Sequence, residues 1–100
     1  KNSLVKVPAS SDNARHVFHQ YTIKTEERDK VVKILEDNNI GYAIYYPIPL
    51  NKQKIYQNLY GQSNFPIAEK VSQNCLSLPM FPELSTDEVK YISNVLNKKI

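Results

Sequence analysis

Hydrophobic and polar residues alternate along the chain in two patterns, one typical of strands and the other of helices. Residues 17–24 present two usable faces at period two, which predicts a strand that is partly buried on both sides. Aliphatic residues at helical spacing follow Thr25, whose side chain can cap a helix, and acidic residues occupy the first turn. This helix should end at Asn38 and Asn39, because asparagine tolerates the left-handed conformation that closes many helices.

The middle of the chain predicts a strand and two short helices. Aromatic and apolar residues fill positions 41–46, and the strand they predict stops at Pro47, because proline has no N–H to donate to a sheet. Asn51 can cap a short helix, which Gly61 should end. Pro66 suits the first turn of a second helix.

The end of the chain carries the clearest local signal. Residues 75–78 predict a third short strand. Ser85 and Glu88 match the capping box, in which each side chain binds the backbone N–H of the other residue, and an apolar face then predicts a helix over residues 86–97. The order of strand, helix, strand, two short helices, strand and helix indicates an α+β domain, with helices packed on a small sheet of about three strands.

Composition narrows the class of protein without changing this fold. One hundred residues suffice for a single domain, and 41% hydrophobic with 23% charged residues is the composition of a globular protein. No apolar run approaches the roughly 20 residues that a membrane span requires, so we expect no membrane partner. The 13 basic and 10 acidic residues leave a net charge of +3. This charge permits a phosphorylated ligand but does not demand one.

Two features bear on the compartment and on the extent of the protein. Cys75 is the lone cysteine, so no internal disulfide can form, and nothing at the start reads as a secretory signal. Both observations favour a reducing, cytoplasmic setting. The chain begins at Lys1 and not at a methionine, and we therefore expect it to be a piece of a longer protein.

The groups that most often carry out chemistry have ordinary structural explanations here. His16 and His19 lie three residues apart on a predicted strand and should point to opposite faces, so we predict no metal site. Cys75 lies in a predicted apolar strand, where a buried and inert thiol is expected. Gly41 and Gly61 are the two glycines of the chain, and neither belongs to a glycine-rich phosphate loop.

Tyrosines are the unusual feature, because five of the seven fall between positions 42 and 60. Tyr42, Tyr56 and Tyr60 are expected to pack in the core or at its rim, since aromatic rings bury large apolar areas. Tyr45 and Tyr46 end the predicted second strand, and adjacent strand residues face opposite ways. At most one of these two can point into the core, so the other needs a different explanation, such as contact with a ligand.

An independent binding module, for RNA or for a small molecule, is the alternative interpretation. Residues 41–44 resemble the start of the RNP1 pattern, in which a strand displays aromatic rings for base stacking. The pattern fails at both ends, with Ile40 in place of a basic residue and Pro47 at the final aromatic position. The chain also lacks the basic stripe that binding to a nucleic-acid backbone requires, so we predict no nucleic-acid partner.

Several short motifs together resemble the C-terminal domain of the DegT/DnrJ/EryC1/StrS sugar aminotransferases. The resemblance runs from about Leu4 to the end of the chain. Its markers, in chain order, are His16-Val17-Phe18-His19-Gln20-Tyr21, Asn39-Ile40-Gly41, Tyr45-Tyr46-Pro47-Ile48-Pro49-Leu50 with Gln53, Asn64-Phe65-Pro66-Ile67-Ala68-Glu69-Lys70, and Leu76-Ser77-Leu78-Pro79-Met80-Phe81-Pro82-Glu83-Leu84. Asn51 departs from the family, which usually has histidine at that position.

The resemblance implies a larger enzyme of the aspartate-aminotransferase fold. Such an enzyme uses pyridoxal 5′-phosphate to transfer an amino group, usually from glutamate, to a keto sugar attached to a nucleotide. Its cofactor-binding lysine belongs to a larger N-terminal domain, so we assign no catalytic, cofactor-binding or metal-binding residue to this chain. Residues 1–15 would be the connector from that domain, and residues 16–100 the C-terminal small domain. The implied partners are the nucleotide sugar, the N-terminal domain and the second subunit of a homodimer.

The resemblance also places the end of the second strand near the nucleotide sugar. Tyr46 is therefore predicted to contact the substrate, and Tyr45 is the second candidate, because the two faces cannot be assigned from sequence. A tyrosine hydroxyl can bind sugar hydroxyls or phosphate oxygens, and its ring can cover a sugar or a base.

Overall fold

The computed structural model describes residues 4–99, which form an α+β domain, as predicted. The elements in chain order are β1 (Tyr21–Lys24), α1 (Arg28–Asp37), a 3₁₀ turn (Leu50–Lys52), α2 (Lys54–Tyr60), α3 (Pro66–Asn74), β2 (Cys75–Leu78) and α4 (Thr86–Lys99). In this part of the chain, no helix combines the length and the apolar character needed to cross a membrane.

The sheet is built on one antiparallel pair, β1 and β2, in which Ile23 lies opposite Leu76. Single bridges extend this pair on both sides. Lys6 exchanges two backbone hydrogen bonds with β1, at 2.8 and 2.9 Å, and Ala43 exchanges two with β2, at 3.1 and 2.7 Å. Four chain segments therefore contribute to the sheet, although the segments at Lys6 and Ala43 each pair at a single residue.

The predicted strand at residues 41–46 is reduced to the bridge at Ala43. Beyond it, the carbonyl of Tyr45 accepts a hydrogen bond from the thiol of Cys75, at 3.7 Å, instead of joining the ladder. The chain then reaches Pro47, which has no N–H to donate. The segment keeps its place in the sheet but is too short to be a strand.

The predicted strand at residues 17–24 begins only at Tyr21. Phe18 adopts a positive φ of 48°, which interrupts the extended backbone, and its N–H is bound by Nδ1 of His16 at 2.9 Å. The rings of the two residues stack with centroids 4.1 Å apart. A local turn at His16 therefore replaces the first half of the strand, a competition that alternation alone does not reveal.

One face of the sheet and two helices enclose the core. Ile23 and Leu76 project from this face and are fully buried, and aliphatic residues of α1 and α4 cover them. The buried cluster comprises Ile23, Val31, Leu35, Ile40, Leu76, Val95 and Leu96. Burying each such side chain contributes about 1.5–3 kcal/mol, so this cluster is the main source of the domain's stability.

Local sequence signals explain where most helices end. Asn38 caps α1, and Asn39 adopts the left-handed conformation (φ 56°), as predicted. The hydroxyl of Thr25 accepts a hydrogen bond from the Glu27 N–H at 3.1 Å, but the helix starts three residues after Thr25, at Arg28. Thr25 thus shapes the turn before α1 and is not its cap.

The short helices follow the prediction except at Asn51. Gly61 ends α2 with a positive φ of 73°, and Pro66 is the first residue of α3, both as predicted. Asn51 lies inside the 3₁₀ turn, and its side chain donates to the carbonyl of Ser63 at 3.1 Å. It therefore ties two loops together, because its side chain reaches across the chain and not along a helix.

Candidate functional site

The second face of the sheet, opposite the core, carries small and polar side chains. Thr22 and Ser77 lie opposite each other, and their hydroxyl oxygens are 2.8 Å apart in a hydrogen bond. Ser77 and Cys75 are buried on this face. Cys75 is the buried thiol that the sequence predicts.

Tyr45 and Tyr46 lie at the edge of this second face, where the chain leaves the sheet. Tyr45 is 43% exposed and Tyr46 is 69% exposed, so neither fills the core. Their ring centroids are 5.5 Å apart and the ring planes meet at 65°, which is an edge-to-face arrangement. The two phenol rings therefore form a continuous, partly exposed aromatic wall.

This wall borders a cleft of about 580 Å³, which we call the tyrosine cleft. Residues 47–50, which we call the proline turn, and helix α3 supply most of the remaining lining, which is largely apolar. The lining residues are Tyr45, Tyr46, Ile48, Pro49, Leu50, Asn51, Gln53, Phe65, Ala68, Val71, Ser72 and Cys75. A mainly apolar cleft with a few convergent amide and hydroxyl groups is the usual form of a small-molecule site.

Glu69 connects two segments that line the tyrosine cleft. Its carboxylate accepts the backbone N–H of Phe65 at 2.7 Å and pairs with Nζ of Lys52 at 3.2 Å. The hydrogen bond from Phe65 is the larger cause, and the nearby Lys52 a smaller one, of a lowered pKa for the Glu69 carboxyl. The pair links the 3₁₀ turn to the start of α3, and both segments contribute residues to the lining of the cleft.

A smaller cleft of about 280 Å³ lies on the other side of Tyr45. His19, Gln20 and Met80 are part of its lining. Tyr45 borders both clefts, whereas Tyr46 borders only the tyrosine cleft among those described. The two tyrosines that could not be distinguished by sequence thus differ in their surroundings.

Three other tyrosines behave differently from one another. The hydroxyl of Tyr42 donates to the Glu36 carboxylate at 2.9 Å, which raises the pKa of the phenol, and its ring packs against the core as expected. Tyr56 and Tyr60 stack on each other at 6.4 Å on the exposed surface of α2, so the prediction that they pack in the core or at its rim was wrong. Their helix has no buried residue against which they could pack.

The tyrosine cleft lacks the lysine that a pyridoxal-phosphate site requires. All lysines between positions 4 and 99 are exposed, and none lines the tyrosine cleft. Lys52, the lysine tied to that region, is paired with Glu69. A lysine that binds this cofactor must be available as a free amine in an enclosed site, and the tyrosine cleft provides no such lysine.

Metal-binding residues are likewise dispersed. Within residues 4–99, no three histidine, cysteine or acidic side chains lie close enough to hold an ion. His16 is stacked on Phe18, and Cys75 is engaged with the carbonyl of Tyr45. Neither side chain therefore belongs to a cluster of metal ligands in this part of the chain.

Sequence patterns missed several residues of the tyrosine cleft. Phe65, Ala68 and Ser72 follow one another at spacings of three and four residues, which places them on one side of α3. The same spacing is compatible with a core-facing helix, and Ser72 is indeed buried. Helical periodicity showed that these residues share a side but not that the side faces a cleft.

Comparison with known proteins identifies the fold and the family. Residues 1–97 match the family described as DegT/DnrJ/EryC1/StrS aminotransferases. A pleiotropic regulatory protein of Geobacillus stearothermophilus is 42% identical over 90 residues, which are 89% of this chain and 24% of the relative. A UDP-N-acetyl-3-dehydro-alpha-D-glucosamine 3-aminotransferase of Acidithiobacillus ferrooxidans is 38% identical over 96 residues, which are 96% of this chain and 26% of the relative.

A solved structure of the same family has the same fold as this chain. The crystal structure of a DegT/DnrJ/EryC1/StrS aminotransferase from Brucella abortus superimposes with a TM-score of 0.84 at 33% identity, and it covers 94% of this chain and 26% of that protein. The chain thus spans about a quarter of the length of the proteins it matches. Because the family match extends over nearly all residues, the chain belongs to the DegT/DnrJ/EryC1/StrS aminotransferase family.

Proposed function

We propose that this chain is the C-terminal small domain of a pyridoxal-phosphate-dependent aminotransferase. The full-length enzyme transfers an amino group from glutamate to a nucleotide-linked keto sugar, and the tyrosine cleft holds part of that substrate. One observation carries the proposal. In a chain of this family, two partly exposed tyrosines form one wall of a largely apolar cleft of about 580 Å³.

Tyr46 is the principal substrate contact in this proposal, and Tyr45 supports it. Tyr46 is the more exposed of the two, and its hydroxyl can donate to a sugar hydroxyl or a phosphate oxygen. The edge-to-face contact with Tyr45 limits the freedom of the Tyr46 ring, and so lowers the entropy lost on binding. Asn51 and Gln53 add amide groups to the lining of the same cleft, although the Asn51 side chain also donates to the Ser63 carbonyl.

The remaining parts of the enzyme belong to the same proposal. Residues 1–15 are the connector from a larger N-terminal domain, and residues 16–100 are the small domain that closes one side of the active site. The larger domain carries the lysine that binds pyridoxal phosphate, and the full-length enzyme is a cytoplasmic homodimer. Exposed lysines and a cleft lined by phenols, amides and apolar groups support this division of labour.

The test is a pair of substitutions in the full-length protein encoded by the reading frame that contains this chain. Tyr46→Phe should lower kcat/KM for the sugar nucleotide several-fold with an unchanged melting temperature, because one neutral hydrogen bond contributes about 0.5–1.5 kcal/mol. Tyr46→Ala should lower it further, because the ring is lost as well.

Tyr91→Phe is the matched control. Its hydroxyl donates to the Asn38 carbonyl at 3.2 Å, and neither residue lines the tyrosine cleft. Loss of this hydroxyl should therefore affect stability and not kinetics. The proposal is contradicted if Tyr46→Phe leaves the kinetics with both substrates unchanged while Tyr46→Ala mainly lowers the melting temperature. It also fails if the reading frame encodes no larger domain.

A further inference from the structure

Helix α2 is an amphipathic helix whose apolar side contacts no core in the described part of the chain. None of its residues is buried, and its main neighbour is the 3₁₀ turn that precedes it. Leu59 is 64% exposed and Tyr60 is 78% exposed. In proteins, most helical stability comes from packing of the apolar side, so a seven-residue helix with this side open is incomplete without a partner.

The apolar residues of α2 lie on one side of it. Ile55 and Leu59 are one turn apart, as are Tyr56 and Tyr60, and together they cover an arc of about 140° at 100° per residue. The polar residues of the helix occupy the opposite side. We call these four apolar residues, together with the exposed Ile48 and Leu50 of the proline turn, the α2 surface.

This surface is continuous with the tyrosine cleft. Ile48 and Leu50 line the cleft, and Leu50 begins the 3₁₀ turn against which α2 lies. A group that covers the α2 surface would therefore also approach the substrate-contacting tyrosines. From the physical properties of this surface, we infer that α2 docks on the larger part of the full-length aminotransferase and thereby closes the tyrosine cleft; this inference rests on the function proposed above.

Size argues for a tethered partner over a second copy of this chain. A seven-residue helix is about 10 Å long and about 10 Å wide, so one side offers on the order of 100–200 Å². A stable complex between separate proteins buries about 800 Å² on each partner. A covalent tether removes that requirement, because it holds the two surfaces at an effective concentration in the millimolar range. The relatives have about three quarters of their length outside the matched region, which is enough for such a partner.

The charged residues near α2 also favour a tethered partner over a second copy of this chain. Between Asn38 and Ala68 the charged residues are Lys52 and Lys54, with no carboxylate among them. Lys52 is paired with Glu69, whereas Lys54 has no ion pair within the described residues. A second copy would bring no complementary charge from this segment. The partner surface that fits is apolar, with a carboxylate opposite Lys54.

The experiment compares backbone hydrogen exchange of α2 in two samples, the 100-residue chain alone and the full-length protein. Amides of Gln57 and Gly61, which donate within this helix, should exchange more than about tenfold more slowly in the full-length protein. Amides of β2, such as that of Ser77, should serve as an internal reference that is protected in both. Equal exchange of α2 in the two samples would overturn the inference.

Matched substitutions identify the surface. In the full-length protein, Leu59→Arg should raise α2 exchange to the level of the chain alone, whereas Val17→Arg, at an 83% exposed position outside the surface, should not. Lys54→Glu should have a smaller effect in the same direction as Leu59→Arg. Sedimentation of the chain alone tests whether a second copy covers the α2 surface. Concentration-dependent association that Leu59→Arg abolishes would identify a second copy as the occupant and contradict the inference.

Glutamate-dependent transamination is measured on the same full-length sample. Protected α2 without transamination of any nucleotide sugar would contradict the proposed function while leaving the docking intact. Transamination by a full-length protein whose α2 amides are unprotected would contradict the docking of α2 and leave the proposed function intact.

Discussion

At the scale of single residues, Glu69 has more partners than its surface position suggests. Its carboxylate accepts the Phe65 N–H and pairs with Lys52, so one side chain both caps α3 and holds the 3₁₀ turn. Sequence analysis assigned no role to it, because its two partners belong to different elements. A carboxylate with two donors favours its ionised form, in agreement with its lowered pKa.

Removing the charge of Glu69 should loosen the 3₁₀ turn locally. We expect Glu69→Gln to speed hydrogen exchange at the amides of Lys52 and Gln53, which close that turn at 2.9 and 3.2 Å. Lys52→Gln should have the same effect, and the double variant should add nothing, because both singles break one ion pair. Lys33→Gln, which breaks an exposed pair with Asp37, is the control and should leave these amides unchanged. Additive effects of Glu69→Gln and Lys52→Gln would show that the pair does not act as a unit.

At the scale of elements, helix α4 shows how much a local motif can specify. The side chains of Ser85 and Glu88 bind each other's backbone N–H groups at 3.2 and 2.7 Å, as the sequence predicted. The helix then runs from Thr86 to Lys99, two residues beyond the predicted end. Acidic residues in the first turn and lysines in the last both favour the helix dipole.

The capping box should make the stability of the chain depend on acid pH. The hydrogen bond from the Ser85 N–H lowers the pKa of Glu88 below its ordinary value of 4.5. Because the folded-state pKa is the lower one, this contribution is complete above the unfolded-state value and is lost as pH falls through the folded-state value. Urea midpoints of the wild type and of Glu88→Gln should therefore differ most above the ordinary glutamate pKa and converge at lower pH. A difference that grows as pH falls would refute this assignment.

Loss of the other half of the motif should be visible at neutral pH. Ser85→Ala removes the acceptor for the Glu88 N–H, and we expect it to lower the free energy of unfolding by about 0.5–2 kcal/mol. Ser85→Thr retains an acceptor and should cost less. Urea denaturation measures both variants, and equal losses would indicate that the hydroxyl does not act as a cap.

At the scale of the whole molecule, the two faces of the sheet divide the work. The face with Ile23 and Leu76 is covered by α1 and α4 and forms the core. The other face carries Ser77 and Cys75 and leads to the clefts beside Tyr45. The core and the clefts therefore lie on opposite sides of the same two strands.

A substitution on the core face of β2 should lower stability, whereas one at an exposed position should not. Leu76 is fully buried in the core, so Leu76→Ala should lower the free energy of unfolding by about 2–5 kcal/mol. Val17→Ala, at an exposed position, should change it by less than about 0.5 kcal/mol. Urea denaturation of the 100-residue chain measures both, and a small effect of Leu76→Ala would place the core elsewhere.

Helix ends were predicted correctly where one residue fixes the conformation of its own turn. Asn39, Gly61 and Pro66 act on the backbone of their own turn, and each ended or began a helix as predicted. The strand at residues 17–24 was wrong in its first half because His16 competes for the Phe18 N–H, a contact that alternation does not encode. The strand at residues 41–46 was reduced to the Ala43 bridge because the carbonyl of Tyr45 accepts a hydrogen bond from the thiol of Cys75 instead of joining the ladder, and Pro47 has no N–H to donate.

By itself, the sequence determined the α+β class, the helix ends with local causes and, through short motifs in fixed order, the family. Which tyrosines face a cleft depends on contacts between distant segments, so this choice is visible only in the folded structure. Tyr42 turned to Glu36 and the core, Tyr45 and Tyr46 to the cleft, and Tyr60 to the open side of α2. Five similar side chains within 19 positions received different surroundings because the sheet edge and helix α3 select among faces that the sequence leaves equivalent.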